Sequence, residues 1–469
     1  MFLHPYWYHV ADFSSSIQSK TQRKDQVSQN MSEEILRFPE GFLWGTVAAA
    51  HQVEGNNRNN DWWEWEQRKG TIRDGSVSGE ACHHYGRFEE DFELLQSLGA
   101  NAHRLSLEWS RLEPEPGTWS KEAVEHYEKV LSSLTDKGIV PFVTLHHYTV
   151  PLWFARRGGW ESETAVEAFE TYARQAVRSF GAHVRYWVTI NAPVLYAYRG
   201  WVAGIAPPGA RSRMRALRVW RDLLKAHGRA YHAIHEEAAK LGLTVSVGLA
   251  QQFIAFDPFR KGSLLDGLAT LTRDYYFNEL TLNSLYTGIM GFPLAFNRYV
   301  PEMEGSFDFV GLNYCTRRMT RFSLSHPLDC FGRDVTNTTG LISELGQEIH
   351  PEGLYRFLER AAKFAKPIYV TENGIATDDD GLRSRFIVSH VKQVHDAIQL
   401  SGDIRGYFYY SLMDGFEWRK GYRAKTGLID VDRSTLERRV KPSGRIYARM
   451  CRENGIPIEL VRHFCPDEP

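Results

Sequence analysis

The sequence predicts a single-domain (β/α)8 barrel of the TIM type, and three observations carry that prediction. Eight short runs of β-branched and aromatic residues follow one another along the chain. Amphipathic helical stretches separate them, and a polar side chain stands near the end of each run.

In chain order the runs are "FLWGTV" from Phe42, "AHRLSL" from Ala102, "IVPFVTL" from Ile139, "VRYWVTI" from Val184, "TVSVGLA" from Thr244, "FDFVGLN" from Phe307, "PIYVT" from Pro367 and "RGYFYYS" from Arg405. Strands that are almost continuously apolar belong to a parallel sheet with both faces covered. The covering helices show in the spacing of Val124, Tyr127, Leu131 and Leu134, and of Val166, Phe169, Ala173, Val177 and Phe180. A third set is Ile387, Val391, Val394 and Ile398. Eight such units favour a closed barrel over an open doubly wound sheet. The connections are longest after the first, fourth and sixth runs, where the chain can build walls around a site. No GxGxxG or GxxxxGK[ST] follows any strand, which counts against a nucleotide-binding fold.

Residues 1 to 30 turn polar after the first dozen, and a second Met stands at Met31. We set them apart as a flexible extension or cloning remnant and assign 31 to 469 to the barrel. The 469 residues are 43% hydrophobic, enough for a large core. With 56 basic and 57 acidic side chains the net charge is -1, so no overall field draws the protein to nucleic acid or an anionic membrane. A small neutral partner is expected. The 13 Trp suit a large core and equally suit stacking on sugar rings. Cys82, Cys315, Cys330, Cys451 and Cys465 are an odd, widely spaced set without CxxC, which points to thiols in a reducing compartment. With no apolar run of membrane-spanning length and a poor secretion signal, the cytoplasm is the expected location.

In a (β/α)8 barrel the chemistry sits at the C-terminal ends of the strands. The residues there are Gln52, Arg104, His147, Asn191, Gln251, Asn313, Glu372 and Glu417. Glu372, directly after a buried strand, must be paired or hydrogen-bonded, and Arg104 can supply the partner that keeps it ionised. A purely structural salt bridge would account for those two equally. His83 and His84 are adjacent and point apart, so they make a poor metal pair. The basic stretch Arg211, Arg213, Arg215, Arg218 and Arg221 is interleaved with Leu217, Trp220, Leu223 and Leu224, as in an outer barrel helix. Nothing calls for a metal or an organic cofactor.

The motifs "FPEGFLWGTVAAAHQVEG", "RLSLEWSRLEPEPG", "TLHHYTVPLWF", "VTINAPVLYAYRGWVAGIAPPG", "FVGLNY", "YVTENGI" and "SLMDGFEWRKGY" occur in this order from about Phe38 onward. Together they resemble the family 1 glycoside hydrolases, the retaining β-glucosidase and β-galactosidase group. The resemblance implies two carboxylates roughly 5 Å apart, one the nucleophile and the other the acid and then the base. It assigns the nucleophile to Glu372 in "TENG". The second carboxylate belongs in an "NEP" triplet, but this chain has Asn191, Ala192 and Pro193. A methyl group stands where the proton donor is expected.

By the same resemblance Gln52, His147, Asn191, Glu417 and Trp418 hold the non-reducing sugar, with Arg104 and Asn313 supporting the catalytic group. An acid at Glu417 disfavours a 6-phosphate. Four departures reduce aromatic bulk: Cys315 in place of a Tyr that bonds the nucleophile, Tyr410 in place of a barrel-end Trp, Gln347 in place of a leaving-group-site Trp, and Tyr148 in place of Trp. Tyr410 stays in the substrate-binding set. The expectation is a β-glycoside-binding scaffold with its nucleophile intact and its acid/base deleted, engineered rather than natural, with impaired hydrolysis and with transfer from activated donors. The alternative is a non-catalytic sugar-binding barrel.

Overall fold

The computed structural model describes residues 34–337, 340–400 and 402–466. The segment 1–30 set apart above lies outside them. Eight parallel strands make the barrel: β1 Leu43–Ala48, β2 Ala102–Ser106, β3 Val140–His146, β4 Tyr186–Asn191, β5 Ser246–Pro258, β6 Phe309–Phe322, β7 Ile368–Asn373 and β8 Ile404–Tyr410. Each pairs with the next, β8 pairs with β1, and the ring is closed. All eight runs named from sequence are strands of this ring.

The barrel is filled, not hollow. Val47, Ala102, Phe142, Val188, Ala250, Phe309, Tyr369 and Phe408, one from each strand, pack as a separate inner core. Aromatic rings fill its centre, with Phe142 stacked on Tyr186 at 4.3 Å and 4.7 Å from Phe408. Gly45 makes room for this layer: a Cβ there would meet the Phe408 ring at 2.3 Å. A far larger core lies between the strands and the helices around them.

Four of those helices are α1 Lys121–Asp136, α2 Ala165–Phe180, α3 Arg213–Lys240 and α4 Asp380–Gln399. Ser120 caps α1 by accepting from the Ala123 amide, and α1 buries Tyr127, Leu131 and Leu134 as their spacing predicts. In α2, Phe169, Ala173, Val177 and Phe180 face inward. Helix α3 buries Trp220, Leu223 and Leu224 beneath the basic stretch, the expected outer-helix arrangement.

Strands β5 and β6 run much further than the sequence runs suggested. They continue as a parallel ladder as far as Pro258 opposite Thr320, and Gly332–Val335 pairs antiparallel with β6. This extension raises a wall beside the barrel mouth. Its charged, half-exposed residues ("TRRMTRF") hide the strand pattern, since only one face is covered. No disulfide joins the cysteines among the described residues. No helix among them is long and apolar enough to cross a membrane.

Candidate active site

One inner layer above the apolar core, the side chains become polar and interlocked. Arg104 on β2 is wholly buried and donates four hydrogen bonds: Nε to Thr144 Oγ1 at 3.0 Å, Nη1 to Thr371 O at 3.2 Å and to Glu372 Oε1 at 2.7 Å, and Nη2 to Asn191 Oδ1 at 2.9 Å. Asn313 donates to the same Asn191 oxygen at 2.9 Å and accepts from Thr371 Oγ1 at 2.7 Å. The strand pairing is irregular where Asn191 and Glu372 emerge, between Val188 and Asn191 on β4 and between Val370 and Glu372 on β7. Such bulges re-aim a side chain relative to the strict alternation of a strand.

The Asn191 amide nitrogen lies 3.0 Å from His147 Nε2. With the amide as donor, the histidine accepts and carries its proton on Nδ1. Burial holds the His147 pKa well below the usual histidine range, and Arg104 adds to this, so the ring is neutral. Burial also pushes the Glu372 carboxyl up, against the pull of Arg104. The guanidinium contact at 2.7 Å is what favours the anion in this low-dielectric site.

A second cluster sits across the cleft. Glu417 accepts from Gln52 Nε2 at 3.1 Å, from Tyr410 OH at 3.0 Å and from Thr426 Oγ1 at 2.9 Å. Burial pushes its carboxyl up to about 7, against the opposing pull of Thr426, the Lys420 charge and Tyr410. Tyr410 also donates to Gln52 Oε1 at 2.9 Å, so the phenol orients both groups. Trp418 follows with φ 49° and packs nearly parallel to His51 at 5.7 Å and to His147 at 6.1 Å. That stack connects the two clusters. Glu372, His147, Asn191, Tyr410, Glu417 and Trp418 line one cleft of about 710 Å³, within the range of a small-molecule site.

Three details differ from the sequence reading. Gln251 does not face the cleft: its amide donates to Gln252 O and Phe277 O, and Gln252, one residue on and on the opposite strand face, is at the wall. Ala192 is 0% exposed, in the left-handed region at φ 48°, and its methyl belongs to the packed core. The methyl itself does not face the cleft, and Asn191, Val194 and Leu195 form the wall there. Gln347 accepts from the Ala376 amide at 2.8 Å, so it pins the loop after β7 as well as lining the cleft. Cys315 stands in the cleft with its thiol pushed up to about 12, mainly by burial and then by the Glu372 charge. The adjacent histidines do not act together: His84 pairs with Asp91 at 2.7 Å.

Sequence reasoning did not single out Arg73, Arg199, Arg419 and Lys420, which also line the cleft. Arg199 in "AYRGWV" and Lys420 in "EWRKGY" were in view as parts of motifs, but their shared position is not encoded in either.

Fold and site together define a glycoside hydrolase of the (β/α)8 class, β-glucosidase-like in its scaffold. The chain belongs to glycosyl hydrolase family 1, whose sequence model matches residues 35–456. It is 33% identical over 457 residues to β-glucosidase A of Thermotoga maritima, spanning 90% of this chain and 99% of that protein. Among solved structures, a β-glycosidase from Pyrococcus horikoshii superposes with a TM-score of 0.85 at 36% identity, covering 92% of this chain and 98% of the other. The T. maritima family 1 β-glucosidase in complex with isofagomine lactam gives a TM-score of 0.84 at 32% identity, covering 90% and 100%.

Proposed function

We propose that this protein processes unphosphorylated terminal β-glucosides and related β-glycosides by retention, through a covalent glycosyl-enzyme on Glu372, without a general acid/base at residue 192. The observation that carries the reading is the arrangement around Glu372. Among the described residues it is the one cleft carboxylate held by a fully buried guanidinium, and the side chains of Asn191, His147, Glu417 and Trp418 converge on the same space.

Asn191 can meet the 2-hydroxyl, a contact that tightens as charge develops at the anomeric carbon. Glu417 and Gln52 offer paired acceptors and donors to adjacent hydroxyls, and Trp418 offers an apolar face. Alanine at 192 neither gives nor takes a proton. General acid-base assistance is typically worth about 10² to 10⁴ in rate, or ~3–5 kcal/mol. Alkyl glucosides are therefore poor substrates. Aryl or fluoride donors, whose leaving groups need little protonation, still form the intermediate. Its hydrolysis is slow because no base activates water, and transfer to added nucleophiles competes. A small-molecule β-glycoside is the partner, and a reducing compartment such as the cytoplasm suits five cysteines without a disulfide among the described residues.

The test is intact-mass and peptide mass spectrometry after a pulse of 2,4-dinitrophenyl β-glucoside. One hexose on Glu372 is the expected result. Reversible binding with no adduct would replace this reading with a sugar-binding barrel.

A further inference from the structure

We infer that the outer part of the cleft is built for an acid: Arg199, Lys420, Arg73 and Arg419 hold a carboxylate or phosphate leaving group and then an acidic acceptor, so that glucosyl transfer between acids needs no proton donor. The inference rests on Glu372 being the nucleophile.

All four cations line the cleft, and among the described residues none of their side chains has a carboxylate partner within ion-pair distance. Their neighbours are committed. Arg273 and Arg318 each hold Asp334 at 2.7 Å, and Arg213 donates to Pro327 O at 3.1 Å. The cleft carboxylates are committed too, Glu372 to Arg104, Glu417 to Gln52, Tyr410 and Thr426, and Asp329 to the Tyr198 hydroxyl at 2.6 Å. The free positive charges also lie close to the sugar site. The Arg199 guanidinium lies 5.8 Å from the Tyr148 ring, whose centre is 5.2 Å from that of Trp418. Lys420 is half-buried and two residues beyond Trp418. Arg73, on a turn, and Arg419, in the short 3-10 helix Trp418–Arg423, are joined by the Arg73 amide donating to Arg419 O at 2.8 Å.

Like charges gathered in a partly desolvated cleft repel one another, and a bound anion relieves that repulsion. The effect is felt at Lys420, whose ammonium is disfavoured first by burial and then by Arg199 and Arg73, against the opposing pull of Glu417.

The chemistry fits Ala192. A carboxylic acid with a pKa of about 4 leaves as a stable anion. Glu372 forms a bond to the anomeric carbon, the bond from that carbon to the leaving oxygen breaks, and the oxygen keeps the electron pair without taking a proton. In the second step an acceptor carboxylate or phosphate oxygen attacks the anomeric carbon, and the electron pair returns to Glu372. The acceptor has no proton to lose, so no base is required; water, which must lose one, is at a disadvantage. Cations and methyl group are thus matched, which argues against a deletion introduced in isolation.

The experiment loads the full-length protein with 2,4-dinitrophenyl β-glucoside, quantifies the adduct by mass, removes donor, and follows release on adding benzoate, inorganic phosphate, benzamide or benzyl alcohol. Benzoate or phosphate is expected to release the enzyme about 10- to 100-fold faster than the neutral compounds, the range of one or two charge-assisted hydrogen bonds. The advantage should shrink as salt rises. Comparing benzoate with phosphate decides which acid the site takes. In the loaded Arg199→Ala, Lys420→Ala double variant the preference should fall about 10-fold, leaving what the acceptor's missing proton supplies by itself, and in Arg199→Lys, Lys420→Arg it should largely return; a preference unchanged in the double variant overturns the role of these cations. An adduct released equally by anions and neutral compounds overturns this inference while leaving the nucleophile in place. Absence of any adduct overturns both.

Discussion

Replacing Arg104 with Met separates the electrostatic role of the buried ion pair from its role in packing. Methionine keeps an apolar stem of similar length and removes all four hydrogen bonds that Arg104 donates. Asn191 keeps Asn313 as a donor, but Thr144 Oγ1 and Thr371 O lose theirs. Glu372 is left with the Asn191 side chain, the more distant charge of Arg199 and His147 at 3.9 Å, a ring that burial keeps neutral. Breaking one side of a buried pair costs about 3–5 kcal/mol because the remaining charge is uncompensated. Glu372 can escape that cost by binding a proton, so its folded pKa rises further above the unfolded value of 4.5. The sign follows: for a raised carboxyl, stability is fully present below the unfolded pKa and is lost as pH rises through the folded one. Urea unfolding should show a modest deficit at about pH 5 and a deficit larger by several kcal/mol at about pH 8. The pH limb for adduct formation should move upward as well. Adding Glu372→Gln should remove the pH-dependent part of the deficit, because no charge is then left to bury. A deficit that is the same at both pH values, with an unmoved loading profile, would refute the electrostatic reasoning and leave Arg104 as a packing residue.

Three further outcomes are expected. Ala192→Glu should raise turnover of an alkyl β-glucoside by about 10²- to 10⁴-fold while changing a 2,4-dinitrophenyl donor little, measured side by side; an equal gain on both would remove residue 192 from the acid role. Glu417→Gln should abolish a pH-dependent loss of stability between about pH 5 and pH 8, since the gap between 4.5 and about 7 is worth ~3 kcal/mol that disappears as pH rises through the folded value; urea midpoints across that range provide the check. Gln347→Trp combined with Cys315→Tyr should lower transfer to bulky alcohols and thiols relative to small ones, and equal transfer before and after would mean that lost aromatic bulk does not set acceptor size.

Much of the site could be read from the sequence because buried strands leave little choice of residue. A polar side chain at the end of a run such as "YVTE" or "VTIN" has to be satisfied by something, and in a barrel the ends of all strands converge. That logic brought Arg104, Asn191, Asn313 and Glu372 into one group, and the structure joins them by hydrogen bonds. It did not distinguish Gln251 from Gln252, because which of two neighbouring glutamines faces inward depends on register at a strand end, where bulges interrupt the alternation.

By itself the sequence determined the eight strands, their order and the identity of the carboxylate at the end of β7, since hydrophobic period and chain order are local properties written residue by residue. Only the tertiary structure decided that the Ala192 methyl is enclosed, that Gln347 ties down a loop, and that Arg199 and Lys420 share a cleft with no carboxylate within ion-pair distance of either among the described residues. The reason is that enclosure and charge pairing depend on what the rest of the chain places across a few ångströms of space, and residues 199 and 420 become neighbours only when the ring closes.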